Sequence, residues 1–510
     1  MRISRQPLRQ VGALIIVTIA LTLSAQAATY SKASLNGSYS FLTNLWTANA
    51  STTQFAMVGI LTFDGAGTVT GSYTSISLQV FQTGTLGGTY SVNSNGTGTI
   101  TFTTGSTAQF AITLDSTAAK VAHGVQLLQT NDSNNEIVSG TAVLQSTTTE
   151  TYSVASLKGD FAFQWGLWTA AVSEYQASDL GMITFDGKGN ANAWSTIVAG
   201  GTSFTKTLTG TYTVSSNGSG TISLPGAQIV FVANSVAAGH VKGAQFIENC
   251  TSVGSGNYAI AGIVLSAQAT KFSNASLKGS YSFLTHLWTA NVNTSPFGMA
   301  GVMTFDGAGT VTGSYTSVTG GVAQSGALGG TYTVNSNGSG TITFTTGSTA
   351  QFALTLDSTA AKVAHGVQLV QTNDSNNEIV SGTAVLQSTT AETYSVANLK
   401  GNFALQRNQW TADVNQMETS GTDFYTFDGK GNFKISEAYV ADGVFHTGTA
   451  IGTYTVNPDG SGTVYGGGGF EAAAFVLNSV AAAQAKGFQL LVTENGSISE
   501  GTFTGTALKQ

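Results

Sequence analysis

The sequence repeats itself with a period of about 120 residues, and that period decides most of what the chain can become. A Leu-x-Gly opening recurs at Leu35-Asn36-Gly37, Leu157-Lys158-Gly159, Leu277-Lys278-Gly279 and Leu399-Lys400-Gly401, with the leucines 122, 120 and 122 residues apart. Each copy continues with an aromatic two residues past the glycine (Tyr39, Phe161, Tyr281, Phe403) and then Trp-Thr-Ala at Trp46, Trp168, Trp288 and Trp410. Thr-Phe-Asp-Gly follows around Asp64, Asp186, Asp306 and Asp428, and Gly-Thr-Tyr ends at Tyr90, Tyr212, Tyr332 and Tyr454. A unit of this size buries roughly two thirds of its unfolded surface, so each copy is expected to be a domain: 28–148, 149–268, 269–390 and 391–510. Copies one and three are nearly identical, which reads as duplication of an odd–even pair.

Within a copy the hydrophobic period is two. Phe55, Met57, Gly59, Leu61 and Phe63 alternate with smaller residues, as do Ile100 and Phe102, and Phe110, Ile112 and Leu114. Asp64-Gly65 and Asn95-Gly96 lie between such runs and supply the positive φ that tight hairpins need. The pattern predicts eight strands near 37–46, 55–63, 67–76, 84–93, 98–104, 108–115, 120–130 and 136–145. Eight sequential antiparallel strands on short loops fit an up-and-down β-barrel, which leaves no free edge; a β-sandwich is the alternative. The expectation is an all-β chain of four tandem eight-stranded antiparallel barrels.

The N-terminus has the build of an export signal over residues 1–27: Arg2, Arg5 and Arg9, an apolar run from Val11 to Leu23, then Ala25-Gln26-Ala27 as a cleavage site. The apolar run is too short to span a bilayer as a helix. The chain is therefore expected to be secreted, periplasmic or at the cell surface. Removing the three arginines from 18 basic residues leaves 15 against 25 acidic ones, a net charge of −10, which disfavours nucleic acid and anionic membrane as partners. Charged residues make up only 8%, so the surface is polar through hydroxyls and amides. One cysteine, Cys250, allows no internal disulfide.

Gly37-Ser38-Tyr39 resembles the opening of the calycin group of barrels, whose first strand begins Gly-x-aromatic. Asp64-Gly65, then Thr70-Gly71-Ser72-Tyr73-Thr74-Ser75, then Leu86-Gly87-Gly88-Thr89-Tyr90 resemble the avidin-like pattern. That resemblance implies a lipocalin/avidin-like barrel and lends Tyr73 and Ser75, with Tyr315 and Ser317 in copy three, a ligand-contacting role. The later strands have no counterparts of the tryptophans that wall the avidin pocket, and the even copies lack the Tyr and Ser, which argues against biotin.

No residue set announces catalysis. Asp115 and His123 recur as Asp357 and His365, but the even copies carry Asn234 with Lys242 and Asn478 with Lys486; a dyad needs two titratable groups. Each Asp-Gly-x-Gly turn offers one carboxylate, too few for a calcium loop, and no zinc spacing or Gly-x-Ser-x-Gly occurs. The expectation is a non-enzymatic protein without cofactor or metal. The four tryptophans either plug one barrel end or form a pocket rim that stacks on an apolar or sugar-like ligand.

Copies one and three sharpen this. Between Gly96–Glu150 and Gly338–Glu392 four residues differ, whereas upstream the changes gather in 50–61 and 76–85. In an up-and-down barrel both segments adjoin connections at the same end, which predicts an open, variable end beside the tryptophans and a closed end of tight turns. The candidate ligand residues are Trp46, Tyr73, Ser75, Trp168, Trp288, Tyr315, Ser317 and Trp410. The reading is a secreted binding module for an unidentified small molecule or an extracellular surface, with avidity from repetition; the alternative is a structural or adhesive protein with no pocket.

Overall fold

The computed structural model describes residues 30–509 except 47–53, 116, 119–120, 132–136, 148–150, 170–176, 200–201, 238–239, 251–257, 269–270, 289–296, 358, 361–362, 374–378, 411–418, 442–443, 467–471, 482–483 and 495–501. Four closed eight-stranded antiparallel barrels follow one another along the chain. In barrel 1 the strands are Asn36–Trp46, Phe55–Asp64, Thr68–Ser77, Val80–Val92, Thr97–Thr104, Gln109–Leu114, Gly124–Gln129 and Ile137–Ser146. The first strand pairs with the second (Phe41 opposite Gly59) and also with the last (Phe41 opposite Ala142), so the sheet closes. A sandwich is thereby replaced by a barrel, as the absence of free edges favours. Barrels 2, 3 and 4 span Lys158–Gln268, Lys278–Ser388 and Lys400–Lys509 in the same order.

The repeated motifs build one end of each barrel. Before the first strand a short 3₁₀ turn (Lys32–Ser34, Val154–Ser156, Asn274–Ser276, Val396–Asn398) lies across that end. The hydroxyl of Tyr90 is shared between the carbonyls of Lys32 and Leu35 at 3.0 and 2.9 Å, and Tyr212, Tyr332 and Tyr454 repeat the contact. Beneath it, Tyr39, Phe63 and Tyr90 pack edge to face at 5.4 and 5.0 Å, a triad repeated as Phe161–Phe185–Tyr212, Tyr281–Phe305–Tyr332 and Phe403–Phe427–Tyr454. The glycine of the Leu-x-Gly opening has a φ near +110° in all four copies, and a Cβ on Gly37 would run into the Ser146 carbonyl oxygen. In barrels 1 and 3 only glycine lets the first strand enter its bulge so close to the last; in all four the positive φ favours it.

Two strand limits differ from the sequence expectation. The fourth strand starts at Val80 rather than near 84, because Leu78 and Gln79 adopt φ of 48° and 61° and make a two-residue hairpin; Gly320 and Gly321 do the same in barrel 3. The seventh strand is shortened to Gly124–Gln129, the preceding residues forming a small ladder, Thr117–Ala118 with Val121–Ala122.

The barrels pack into a ring. The outer face of the first three strands of barrel 1 (Leu42, Ala56, Val58, Ile60, Ile76) covers the later strands of barrel 2 (Val232, Ile247, Ala261). Barrel 2 meets barrel 3 in the same manner through Leu180 and Val198 on Ala353, Val370 and Ile379. Barrel 3 meets barrel 4 through Leu284, Ala300, Val302 and Val318 on Val476 and Leu491. The fourth contact returns from barrel 4 to barrel 1, Val440 on Leu128 and Ile137, with a 2.7 Å hydrogen bond between the Thr422 and Thr113 hydroxyls. A head-to-tail contact used four times closes into a cycle when its rotation allows; here one chain supplies all four members.

Candidate functional site

The up-and-down order places the connections after the first, third, fifth and seventh strands at one end of each barrel, opposite the 3₁₀ turn. Both variable segments of copies one and three adjoin that end.

Barrels 1 and 2 each carry a lumenal cavity there, of about 310 and 320 Å³. The barrel 1 cavity is walled by Phe41, Phe55, Met57, Phe102 and Phe110, with Ser106, Gln129 and Asn131 toward the mouth. The barrel 2 cavity is walled by Phe161, Phe163, Trp165, Phe231 and Phe246 among other apolar side chains, and it holds Asp179, Ser195, Lys206 and Glu248.

These four polar groups converge because of strand parity. Asp179 is the third residue of the second strand, Ala177–Asp186, on the face that also carries Ala177, Ile183 and Phe185. Ser195 and Lys206 are directly paired across the third and fourth strands. Glu248 comes in from the seventh strand, opposite Ile229. Asp179 and Glu248 are each 5% exposed. Burial, and next the negative charge of Glu248, hold the Asp179 carboxyl well above the usual carboxylate range, against a hydrogen bond from Ser195 and the weaker pull of Lys206. Oδ1 of Asp179 has no hydrogen-bond partner. Ligand pockets combine apolar walls with a few convergent polar groups in this way.

At equivalent heights the other barrels differ. The third residue of the second strand is Met57 in barrel 1, Met299 in barrel 3 and Gly421 in barrel 4. In barrel 4, Gly421 leaves room for Arg407, which is ion-paired with Asp423 at 2.6 Å while both are buried, and whose guanidinium lies 5.3 Å from the centre of the Tyr439 ring. That barrel answers a buried acid with a buried base of its own.

Of the residues singled out in the sequence, Trp46, Trp168, Trp288 and Trp410 have backbones at the end of each first strand, and their side chains lie outside the described residues. Tyr73 faces the barrel interior but lies across Gly84, where a Cβ would meet its ring at 2.7 Å; Tyr315 covers Gly326 likewise. The Ser75 hydroxyl donates to the Gln82 carbonyl at 3.5 Å, and Ser317 is buried at the same place in barrel 3. Neither Tyr73 nor Ser75 is part of the barrel 1 cavity wall. The cavity groups that the repeat logic misses are Trp165, Asp179, Lys206 and Glu248. They belong to one copy only, and the signal that could have found them is an acid interrupting the apolar alternation of Ala177–Phe185.

Asp115 and Asp357 sit at the closed end. Their carboxylates accept the backbone N–H of Gly124 and Gly366, while His123 is exposed. The turn aspartates serve the hairpins: Oδ1 of Asp64 accepts N–H groups of Ala66, Gly67 and Thr68 at 2.8–2.9 Å, which draws its pKa down to about 2. Among the described residues no three His, Cys, Asp or Glu side chains gather as a metal site, and no helix is long and apolar enough to cross a membrane.

A further cavity of about 420 Å³ lies at the ring centre, lined by the first and last strands of all four barrels, including Asn44, Gly166, His286 and Asn408 at matching positions. Burial pushes the His286 imidazole down to about 3.

No family model matches the chain, and no curated protein matches it. Among solved structures, kievitone hydratase from Nectria haematococca aligns at 12% identity over 46% of this chain and 90% of that one, with a TM-score of 0.18. Transferrin binding protein B from Haemophilus parasuis Hp5 aligns at 7% identity over 79% and 86%, TM-score 0.19, and the isotype 1 protein from serogroup B Neisseria meningitidis at 7% over 79% and 84%, TM-score 0.20. At such scores none of them bears on the function of this chain.

Proposed function

We propose that the chain is an exported, non-enzymatic binding protein of calycin-like barrels, whose second barrel captures a small, largely apolar molecule. The observation that carries this reading is the barrel 2 cavity: about 320 Å³, walled by aromatic side chains, with three titratable groups converging on it. A volume of roughly 300 Å³ or more is that of a ligand pocket. Trp165 in the wall gives the test a reporter. With the chain from Ala28 onward, titration with lipophilic small molecules is expected to change tryptophan emission and raise the melting temperature, and Trp165→Phe removes the emission change while the thermal shift persists. The reading fails if no compound in a panel of aromatic amines, alcohols, acids and oligosaccharides moves either signal.

A second reading, attachment to an extracellular surface, is favoured by the apolar hairpin tips. Leu78, Val80, Val322 and Val444 are 56–61% exposed at the third-to-fourth connection of three barrels, and the repeated ring contact presents these tips in equivalent positions. Substituting all four by Ser separates the two readings, since it abolishes surface adhesion and leaves the cavity ligand bound.

A further inference from the structure

The barrel 2 cavity has a chemical asymmetry that names a ligand class, given that this barrel captures a small molecule at all. Two carboxyl groups, Asp179 and Glu248, share the lumen with one lysine, Lys206. These three are the titratable groups among the described wall residues; Ser195 is the polar neighbour, and the rest of the wall is dominated by aromatic and aliphatic side chains. Barrel 1 supplies the internal contrast. Its cavity has nearly the same volume and the same place in the barrel, yet where barrel 2 has Asp179 and Glu248 it has Met57 and Gln129, which occupy the corresponding ladder positions. Two acids have been placed in an otherwise ordinary apolar barrel, and an acid buried without a full counter-charge is destabilising. Barrel 4 satisfies its own buried acid within the chain, by pairing Asp423 with Arg407.

We propose that the barrel 2 lumen is selective for an organic amine, a small molecule with an aromatic or aliphatic body and an ammonium head that seats between Asp179 and Glu248. The unpartnered Oδ1 of Asp179 is the acceptor that such a head completes. An anionic ligand is disfavoured because it would face Glu248 with a single lysine to offset it. Burial and the charge of Glu248 raise the Asp179 carboxyl well above the usual carboxylate range. An entering ammonium group places a positive charge beside that carboxyl and lowers its pKa again, so a proton held there is driven off to solvent. Amine binding therefore releases a proton and tightens as the pH rises, as long as the amine itself stays charged.

The test is isothermal titration calorimetry of the chain from Ala28 onward with three ligands of one shape: 4-phenylbutylamine, 4-phenylbutan-1-ol and 4-phenylbutyrate. One site per chain is expected, with the amine at least about ten-fold tighter than the alcohol and the acid weakest. Titrations in phosphate and Tris buffers should show proton release with the amine alone, and its affinity should increase with pH while the amine stays charged. Asp179→Asn should erase the advantage of the amine over the alcohol; Glu248→Gln is the second variant should the first fail to fold. Equal binding of amine and alcohol, tighter binding of the acid, or an amine preference that survives Asp179→Asn overturns the head-group assignment and leaves small-molecule capture standing. Failure of all three ligands at millimolar concentration overturns the amine assignment, and small-molecule capture falls with it if the wider panel also gives no signal.

Discussion

Asp115 and Asp357 carry carboxyl groups that burial pushes up to about 7 and about 6, against the backbone N–H groups they accept. The native chain therefore holds these protons over a pH range in which the unfolded chain has released them. Below about pH 4 both states are protonated and the fold keeps the full contribution; as the pH rises toward 7 it is lost, by about 1.4 kcal/mol per unit of displacement at each site. The turn aspartates act in the opposite sense. Asp64, Asp186, Asp306 and Asp428 are drawn down to about 2 by backbone and side-chain donors, so their support is present above the usual carboxylate value and fades as the pH falls toward 2. The melting temperature is expected to peak near pH 4–5 and to decline toward neutrality. The double variant Asp115→Asn/Asp357→Asn should flatten that decline in a thermal scan from pH 4 to 8, and a slope unchanged from wild type would contradict the assignment.

Strands and turns are largely legible in the sequence because their rules are local. Asp-Gly and Asn-Gly mark turns through the backbone, alternation marks a strand through its two faces, and four copies of each signal average out the exceptions. What is not legible depends on which residues share a layer of a closed barrel. Tyr73 reads as a ligand contact from its motif, and the motif does not tell that Gly84, eleven residues later and directly across the ladder, makes a shelf for its ring. Asp179 escapes a reading built on shared positions because no other copy has it, although function placed where copies differ predicts that kind of residue. The same layer logic yields a prediction for barrel 4. Breaking the Arg407–Asp423 pair from one side, as Arg407→Met, should cost about 3–5 kcal/mol because a carboxylate is left buried alone. Arg407→Met with Asp423→Leu should recover most of it. Hydrogen exchange of the barrel 4 strands, resolved by mass spectrometry, reads this locally, where a global melt of a four-barrel chain would not follow two states.

At the scale of the molecule, the ring explains the composition. A chain with 8% charged residues would leave four separate barrels with apolar outer faces in water, and the second strand of barrel 1 shows why it does not. Phe55, Met57, Leu61 and Phe63 face the lumen, while Ala56, Val58 and Ile60, the smaller members of the same alternation, face barrel 2. Both faces are apolar because both are covered, as in strands buried on two sides. Three seams join barrels that are consecutive in the chain; the fourth, between barrels 4 and 1, joins its two ends and has the smallest apolar contact, Val440 with Leu128 and Ile137. A Gln126 side-chain amide reaching the Ala404 carbonyl at 3.3 Å supplements it. That seam separates a ring from a string. A compact chain of this length has a radius of gyration of about 24 Å, whereas four barrels in line would exceed about 30 Å. Small-angle scattering of the chain from Ala28 onward should give the lower value. Leu128→Glu with Val440→Glu places two like charges in the closing seam, and the radius should grow while the far-ultraviolet circular dichroism of the barrels is preserved. A wild-type radius above about 30 Å, or a charged seam that leaves the radius unchanged, would mean that the ends of the ring do not hold each other in solution.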